Sequence, residues 1–385
     1  MKRILAAALG VLLLAALPLS AGAATLAEAG KSAVLMDVTT GTVLYEHNSH
    51  EALAPASVTK VMTMLLIMEA VDSGKISLAD TVTASEAAAA KGGSQIYLKA
   101  GETMRVSDML KSIAVSSAND CACAMAEHIS GSESAFVEAM NQRAKELGMQ
   151  DTHFVNCTGL DDDDSAKLHR TSAYDIALMS RELLKNHPDI KKYTTIWMDT
   201  VRNGTFGLSN TNKLIRFYSG ATGLKTGYTS GAGYCLSASA QKEGMELIAV
   251  VMGARTSQTR NAACKELLDY GFANFAVVTP EPEALPQVAV RLGKQAQVPA
   301  RMAESAGMLI EKSQRSGITT EISLKESVAA PVTRGQTLGS LAVKSGEQIL
   351  RQIPLVAAED VEKLTTGDIF LAVLRKAAMA KEGTE

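Results

Sequence analysis

The chain lacks several features that would assign it to common classes of protein. Its formal net charge is −3, its isoelectric point is near 6.1, and it has no concentrated block of Lys and Arg. A general nucleic-acid binder is therefore not expected, because contacts to phosphates need a basic surface. The sequence has no internal repeat, and its one low-complexity run is Asp161 to Asp164. Four adjacent carboxylates without EF-hand spacing favour a solvated loop over a Ca²⁺ site, so we expect no metal and no cofactor.

Cysteine is scarce, and its number is odd. The five cysteines are Cys121, Cys123, Cys157, Cys235 and Cys264. An odd number leaves at least one thiol outside any intramolecular disulfide, and the spacing follows neither a disulfide framework nor a zinc motif. We expect these residues to be small buried side chains.

A long membrane-spanning run is also lacking. The apolar run from Ile4 to Leu19 follows two basic residues, is broken by Pro18 and precedes Ala21-Gly22-Ala23. A membrane span needs about 20 apolar residues. The pattern instead predicts a secretory signal peptide, residues 1–23, and hence an exported protein.

About 360 residues remain after this segment, which is enough for two domains that each bury a core. The stretch Thr279-Pro280-Glu281-Pro282-Glu283 is stiff and polar, as is typical of a linker. We therefore predict a first domain at residues 24–279 and a β-rich domain at residues 280–365. A terminal helix is predicted at residues 366–385.

Turn residues and apolar periodicity predict the elements of both domains. In the first domain they are a hairpin (Ala33 to Met36 and Thr42 to Tyr45), a buried helix (Val61 to Val71), a helical lobe (Val106 to Ile129, Glu133 to Leu147, Ser172 to Lys185), three antiparallel strands (Gly223 to Tyr228, Gly233 to Ala240, Met245 to Met252) and a helix on that sheet (Gln258 to Tyr270). In the second domain the predicted strands are Gln287 to Leu292, Thr319 to Leu324, Leu338 to Val343 and Ile349 to Val356.

The terminal helix leaves two interpretations open. Its apolar residues would share one face, with cationic residues off that face. The apolar set is Ile369, Phe370, Val373, Leu374 and Ala377, and the cationic set is Arg375, Lys376 and Lys381. Such a helix could rest on an anionic membrane. Because Leu371 and Ala372 blur the stripe, packing against the β-rich domain is equally consistent with the pattern.

Three short motifs carry the chemistry. Ser57-Val58-Thr59-Lys60 lies at the start of the buried helix, so the side chains of Ser57 and Lys60 share one face and can touch. A serine hydroxyl needs a base, and a lysine becomes one where burial or a second cation makes its charged form costly. The helix start also offers free backbone N–H groups to an oxyanion. An ordinary helix start is the alternative.

The second motif, Ser117-Ala118-Asn119, follows 60 residues after Ser57 within a polar break in the helical lobe. A short connection there could direct the side chains of Ser117 and Asn119 into a cleft, although a helix cap would look the same. In the functional interpretation, Ser117 relays a proton to a leaving amine while Asn119 fixes Lys60 and a substrate amide.

The third motif, Lys225-Thr226-Gly227, follows 108 residues after Ser117 on a predicted strand. Gly227 would let a substrate backbone lie along the strand edge. Lys225 and Thr226 offer a cation and a hydroxyl to a carboxylate, and Arg255 offers a second cation. A solvated lysine and a surface arginine are the alternatives.

These motifs, their order and the signal peptide resemble those of the low-molecular-mass penicillin-binding proteins of the D-alanyl-D-alanine carboxypeptidase type. The resemblance implies a penicillin-binding, β-lactamase-like α+β fold, with an antiparallel sheet flanked by helices, a helical lobe and a small β-rich domain after it. It also implies action on peptidoglycan stem peptides ending in D-Ala-D-Ala, outside the cytoplasm, in the cell wall or at the outer face of the membrane.

Roles follow from the resemblance. It implies that Ser57 is acylated and that Lys60 is its base. It implies that Lys225 and Thr226 hold the terminal carboxylate, and that the N–H groups of Ser57 and Tyr228 form the oxyanion hole. Some relatives carry His where this chain has Tyr228, so pH dependence or substrate preference would differ. β-Lactam antibiotics are implied as covalent inhibitors.

Three rival functions share these motifs. A class A β-lactamase needs a glutamate to activate the deacylating water, and Asp151 to Ser180 contain no Glu. A sensor would be acylated without useful turnover, and an endopeptidase would cut cross-links. His169, in the loop after the aspartate run, is expected to be structural rather than catalytic.

Overall fold

The computed structural model of the protein describes residues 26, 30–162, 164–279, 284–304 and 307–379. The predicted signal peptide and residues 280–283 of the predicted linker lie outside these residues. The α-helices are α1 (Lys60–Asp72), α2 (Glu86–Ala89), α3 (Val106–Ser116), α4 (Asn119–Ser130), α5 (Glu133–Glu146), α6 (Ala173–Asn186), α7 (Lys191–Thr194), α8 (Leu214–Phe217), α9 (Ser257–Asn274) and α10 (Thr366–Met379).

The strands are likewise named in chain order. They are β1 (Ser32–Asp37), β2 (Val43–His47), β3 (Thr81–Thr83), β4 (Thr103–Arg105), β5 (Met198–Val201), β6 (Phe206–Ser209), β7 (Ala221–Thr229), β8 (Gly233–Lys242), β9 (Met245–Ala254), β10 (Phe275–Val278), β11 (Gln287–Arg291), β12 (Gln297–Met302), β13 (Met308–Glu311), β14 (Ile318–Leu324), β15 (Ser327–Ala329), β16 (Thr337–Ser345) and β17 (Gln348–Ala357).

A five-stranded antiparallel sheet with the order β2-β1-β9-β8-β7 forms the centre of the first domain. Both faces of this sheet are buried. In β9, Ile248 and Val250 face the core that contains α1, whereas Leu247 and Ala249 face the core that contains α9. Successive strand residues point to opposite faces, so burial on both sides explains the continuous apolar runs in the sequence. The predicted hairpin, strands and covering helix are confirmed.

The helical lobe differs from the prediction in two places. The helix predicted from Val106 to Ile129 is two helices, because Ser117 adopts a left-handed conformation with φ of 63° and ends α3. The predicted third helix of the lobe, α6, instead packs against α1, β1 and β9. Its apolar face, which includes Ile176, Met179 and Leu183, belongs to the core between the sheet and the lobe.

The β-rich C-terminal domain is confirmed and contains a six-stranded sheet with the order β14-β16-β17-β12-β11-β15. The four predicted strands are present, and β12, β13 and β15 are additional. A small two-stranded sheet pairs β10 of the first domain with β13 of the second. The two domains therefore share backbone hydrogen bonds on either side of residues 280–283.

Two other predictions concern side-chain exposure. All five cysteines are buried and free, as expected. In α10, Phe370, Val373 and Leu374 are 64%, 63% and 50% exposed, so the β-rich domain does not cover them. Ala377, Arg375, Lys376 and Lys381 have no described side chains. Among the residues that the structure describes, no helix has the length and apolar character needed to cross a membrane.

Candidate active site

Ser57 lies in a 3₁₀ turn, Ala56–Thr59, that runs directly into α1. The sequence predicts an ordinary first helical turn, but the 3₁₀ form places residues three apart one above the other. Lys60 Nζ consequently lies 2.9 Å from Ser57 Oγ. The hydroxyl and the amine predicted to form a nucleophile and base are in hydrogen-bonding contact.

The environment of Lys60 makes its charged form costly. Its side chain is fully buried, and Nζ donates a second hydrogen bond to Thr158 O at 2.8 Å. Burial lowers the pKa of Lys60 to about 7, although Cys157 and Asp120 act in the opposite direction. Burial also raises the pKa of the Cys157 thiol well above its usual value, so this thiol is neutral at pH 7. The neutral amine of Lys60 is therefore accessible at neutral pH.

Ser117 and Asn119 lie at the break between α3 and α4. Both are buried, and Asn119 donates its backbone N–H to Ser94 O and its Nδ2 to Gly92 O, each at 2.7 Å. Asn119 Oδ1 is buried and has no hydrogen-bond partner among the described residues. Buried acceptors are normally satisfied, so this oxygen is available to a further hydrogen-bond donor.

Lys225 lies on β7 and is 1% exposed. Burial, assisted by the charges of Lys60 and Arg260, holds the pKa of Lys225 well below its usual value. Its Nζ donates to Thr226 O at 2.8 Å, and Thr226 Oγ1 donates to Thr211 Oγ1 at 2.7 Å. A carboxylate in the cleft would restore the charge of Lys225, because an opposite charge favours the ammonium form.

The first and third motifs are in direct contact. A Cβ on Gly227 would lie 2.6 Å from Pro55 O and 3.1 Å from Ser57 N, so only glycine fits without movement. β7 is the outer strand of the five-stranded sheet, which leaves one of its edges outside the sheet ladder. The turn that carries the hydroxyl–amine pair and the predicted carboxylate-binding strand thus lie side by side.

Tyr228 and Arg255 lie at the end of the same sheet. Tyr228 is 56% exposed and stacks on Tyr234, with ring centroids 4.3 Å apart. Tyr234 pairs with Ala254 on β9, and the exposed Arg255 follows that residue. Strand register therefore brings Arg255 to the end of the sheet that carries Tyr228, while its contact with a substrate stays a prediction.

Comparison with known proteins identifies the family. The family described as D-alanyl-D-alanine carboxypeptidase matches residues 20–256, and the penicillin-binding protein 5 C-terminal domain matches residues 280–363. The chain belongs to the D-alanyl-D-alanine carboxypeptidase family. It is 47% identical over 344 residues to D-alanyl-D-alanine carboxypeptidase DacF of Bacillus subtilis, covering 88% of this chain and 87% of that protein. The resemblance predicted from the three motifs is confirmed.

Solved structures confirm the predicted fold class of this family member. Penicillin-binding protein 5 of Haemophilus influenzae matches with a TM-score of 0.75 at 31% identity, covering 87% of this chain and 98% of that one. Penicillin-binding protein D2 of Listeria monocytogenes, in its ampicillin-bound form, matches with a TM-score of 0.58 at 32% identity. That match covers 63% of this chain and 98% of the other.

Sequence reasoning missed several residues that shape the site of this family member. Thr158 supplies the second acceptor for Lys60. Gly159 adopts φ of 80°, and a Cβ there would lie 1.9 Å from Ala56 O. The Asp120 carboxylate accepts hydrogen bonds from the N–H groups of Ile96 and Leu98 and so holds the loop beside Asn119. These contacts join positions far apart in the sequence, and no short motif predicts them.

Proposed function

We propose that this chain is a serine-type D-Ala-D-Ala carboxypeptidase that removes the terminal D-alanine from peptidoglycan stem peptides through an acyl-enzyme on Ser57. One observation carries the proposal: Ser57 Oγ lies 2.9 Å from the nitrogen of Lys60, whose pKa burial lowers to about 7. The D-alanyl-D-alanine carboxypeptidase DacF of Bacillus subtilis, 47% identical, is named for this reaction.

Acylation begins when Ser57 Oγ attacks the carbonyl carbon of the penultimate D-alanine and its proton passes to Lys60 Nζ. The N–H groups of Ser57 and Tyr228 stabilise the oxyanion that forms on the carbonyl oxygen. The C–N bond to the terminal D-alanine then breaks, and Ser117 relays a proton to the leaving amine.

Substrate binding uses the outer edge of β7. The peptide lies along this edge as an added strand, beside the Ser57 turn that Gly227 allows to approach β7. Lys225, Thr226 and Arg255 hold the terminal carboxylate, whose negative charge favours the ammonium form of the buried Lys225. The unpartnered Oδ1 of Asn119 accepts an N–H group of the peptide.

Hydrolysis distinguishes the enzyme from an acylated sensor. Lys60 takes a proton from the water molecule that attacks the ester carbonyl, this proton passes to Ser57 Oγ as the C–O bond breaks, and a peptide shortened by one D-alanine is released. Benzylpenicillin would acylate Ser57 by the same first step. Its ester would be lost slowly, because the stretch from Asp151 to Ser180 contains no Glu to activate the water as in a class A β-lactamase.

The deciding measurement is D-alanine release from a peptide that ends in D-Ala-D-Ala, with a D-Ala-L-Ala peptide as the substrate control. Wild type and Ser73→Ala, which alters an exposed serine just beyond the far end of α1, should release D-alanine, and Ser57→Ala should not. Penicillin labelling without release would make the protein a sensor. Cleavage of cross-linked muropeptides without D-alanine release would make it an endopeptidase, and rapid penicillin turnover a β-lactamase.

Location and domain organisation complete the proposal. The predicted signal peptide would export the chain, and the exposed apolar face of α10 would rest on the outer face of an anionic membrane. The exposure of Phe370, Val373 and Leu374 supports this placement. We keep the domain boundary at residues 279 and 280. Vesicles containing anionic lipid should sediment the protein, and removal of residues 366–385 should abolish sedimentation without changing D-alanine release.

A further inference from the structure

A buried histidine contacts the 3₁₀ turn that carries Ser57. His169 is 3% exposed, and its Nε2 lies 2.7 Å from Thr59 Oγ1. Its other nitrogen, Nδ1, lies 3.1 Å from the backbone N of Val155. Thr59, fully buried, belongs to the same 3₁₀ turn as Ser57. The histidine therefore contacts the turn through Thr59, and none of the reaction steps above uses it.

The hydrogen-bond partners of His169 fix its tautomer. A backbone N–H can only donate, so Nδ1 must be the acceptor for Val155 and carries no proton. In a neutral imidazole the proton is then on Nε2. Burial, with smaller contributions from His153 and Lys60, lowers the pKa of His169 to about 4, so the ring is neutral at pH 7. His169 thus donates from Nε2 to Thr59 Oγ1.

The direction of the next hydrogen bond follows from that one. The Thr59 hydroxyl has a single proton, and it accepts from His169, so its proton is left for its other neighbour. That neighbour is Ala56 O, at 2.8 Å from Thr59 Oγ1. A directed chain therefore runs from Val155 N–H through His169 and Thr59 to the carbonyl of Ala56.

The last acceptor in this chain belongs to the peptide bond between Ala56 and Ser57. A hydrogen bond accepted by a peptide carbonyl polarises the whole amide and strengthens its N–H as a donor. The N–H at the other end of this amide is that of Ser57, one of the two donors proposed for the oxyanion hole.

The same contacts hold an unfavourable backbone conformation. Ala56 has φ of 49°, a left-handed value that is strained for alanine. Gly159 approaches the Ala56 carbonyl so closely that a Cβ would lie 1.9 Å from its oxygen. The ring of His169 packs against Phe154, with centroids 5.6 Å apart. The carbonyl is thus enclosed by protein.

We propose that His169 is a positioning residue for acylation, which acts through Thr59 to hold and polarise the Ala56–Ser57 peptide so that the N–H of Ser57 stabilises the oxyanion. The inference rests on the proposed function only in that Ser57 is the residue acylated. The expected effect is on the rate of acylation and not on the binding that precedes it.

Two matched pairs of variants test this series of hydrogen bonds. Thr59→Val removes the hydroxyl with little change in volume, whereas Thr59→Ser keeps it. His169→Asn keeps an acceptor near the Nδ1 position but loses the donor to Thr59, whereas His169→Gln keeps a donor near the Nε2 position. Removing a whole oxyanion donor lowers kcat by about 10²- to 10³-fold, so losing the polarisation of one donor should lower it by about tenfold.

The readouts are the saturating rate of Ser57 acylation by benzylpenicillin and the kcat and KM for D-alanine release, measured on protein shown to be folded. Thr59→Val and His169→Asn should lose about tenfold in the saturating acylation rate, with the half-saturating penicillin concentration nearly unchanged, and Thr59→Ser and His169→Gln should recover most of it. Equal rates within each pair, or a loss confined to the half-saturating concentration, would overturn the proposal. Because acylation is measured with penicillin, this experiment tests the hydrogen-bond series even if the protein releases no D-alanine.

A measurement on the wild-type protein tests the proposal even if the variants do not fold. Nitrogen-15 NMR of the His169 ring should show a proton on Nε2 and none on Nδ1 between pH 5 and 8. The opposite tautomer, or a doubly protonated ring in that range, would contradict the directed chain.

Discussion

In residues 30–162 and 164–279 the interior holds Lys60, Asp120, His169 and Arg260 beside apolar side chains, whereas every buried side chain within residues 284–304 and 307–379 is apolar. A buried polar group destabilises a fold unless hydrogen bonds or charges compensate it. In the first domain these groups surround Ser57 and Lys225. The buried side chains described in the second domain serve packing alone.

The difference between the two domains shows how burial changes the chemistry of a lysine side chain. Exposed lysines are protonated at pH 7 and cannot accept a proton from serine. Burial in the core of the first domain lowers the pKa of Lys60, which suits this residue to its proposed role as base, at the expense of stability. Substitutions of buried residues should therefore have different effects in the two domains. In the first domain they should lower activity more than stability, and in the second they should lower stability while activity persists.

The largest expected effect is that of Lys60→Met. Methionine is an apolar side chain of comparable length, so the core stays filled while the base is lost. Penicillin acylation should fall by about 10³-fold. The melting temperature at pH 7 should not fall, because an amine whose pKa is lowered to about 7 destabilises the fold wherever the unfolded chain is protonated. Thermal unfolding and acylation measured on the same sample check this, and a large loss of stability would contradict it.

The next effect is that of Gly227→Ala. The new Cβ would lie 2.6 Å from Pro55 O, so β7 and the turn that carries Ser57 must move apart. A displacement of about 1 Å at a reacting group lowers rates by about 10²-fold. Gly207→Ala is the matched control, because its Cβ would meet no atom within 4 Å. Comparable acylation rates for the two variants would show that the close contact is not required.

The pH dependence of acylation should follow Lys60. Only the neutral amine accepts the proton of Ser57, and the pKa of Lys60 is lowered to about 7. The rate should therefore rise with pH, level off above about 7 and fall about tenfold for each unit below. Stopped-flow acylation by benzylpenicillin between pH 5 and 9 tests the sign. A rate that is flat across pH 7 would mean that Lys60 is not the base.

The sequence predicted the elements that carry local periodicity. The α1 helix, the hairpin and strands β7, β8 and β9 were predicted because their apolar runs end at Gly and Pro. The three motifs indicated the site, because each places reactive side chains within three residues of one another.

Other features depend on contacts between distant residues. The left-handed Ala56, the close approach of Gly159 and the bond between Thr59 and His169 join segments about 100 residues apart in the sequence. Strands β13 and β15 are only four and three residues long, too short to give a clear alternating pattern. The helix α6 was assigned to the lobe because amphipathicity shows that a face is buried but not which partner covers it.

The smallest effect on activity is expected from Leu355→Ala in the second domain. Leu355 is fully buried between apolar neighbours of β16 and β17, so its truncation leaves a cavity and should lower stability by about 2–5 kcal/mol. The penicillin acylation rate at 20 °C should stay within about twofold of wild type, because the cavity is remote from Ser57. Denaturant unfolding and acylation on one preparation give both quantities. A parallel loss of activity would show that the β10–β13 pairing transmits damage to the cleft, and that the apolar domain also supports the chemistry.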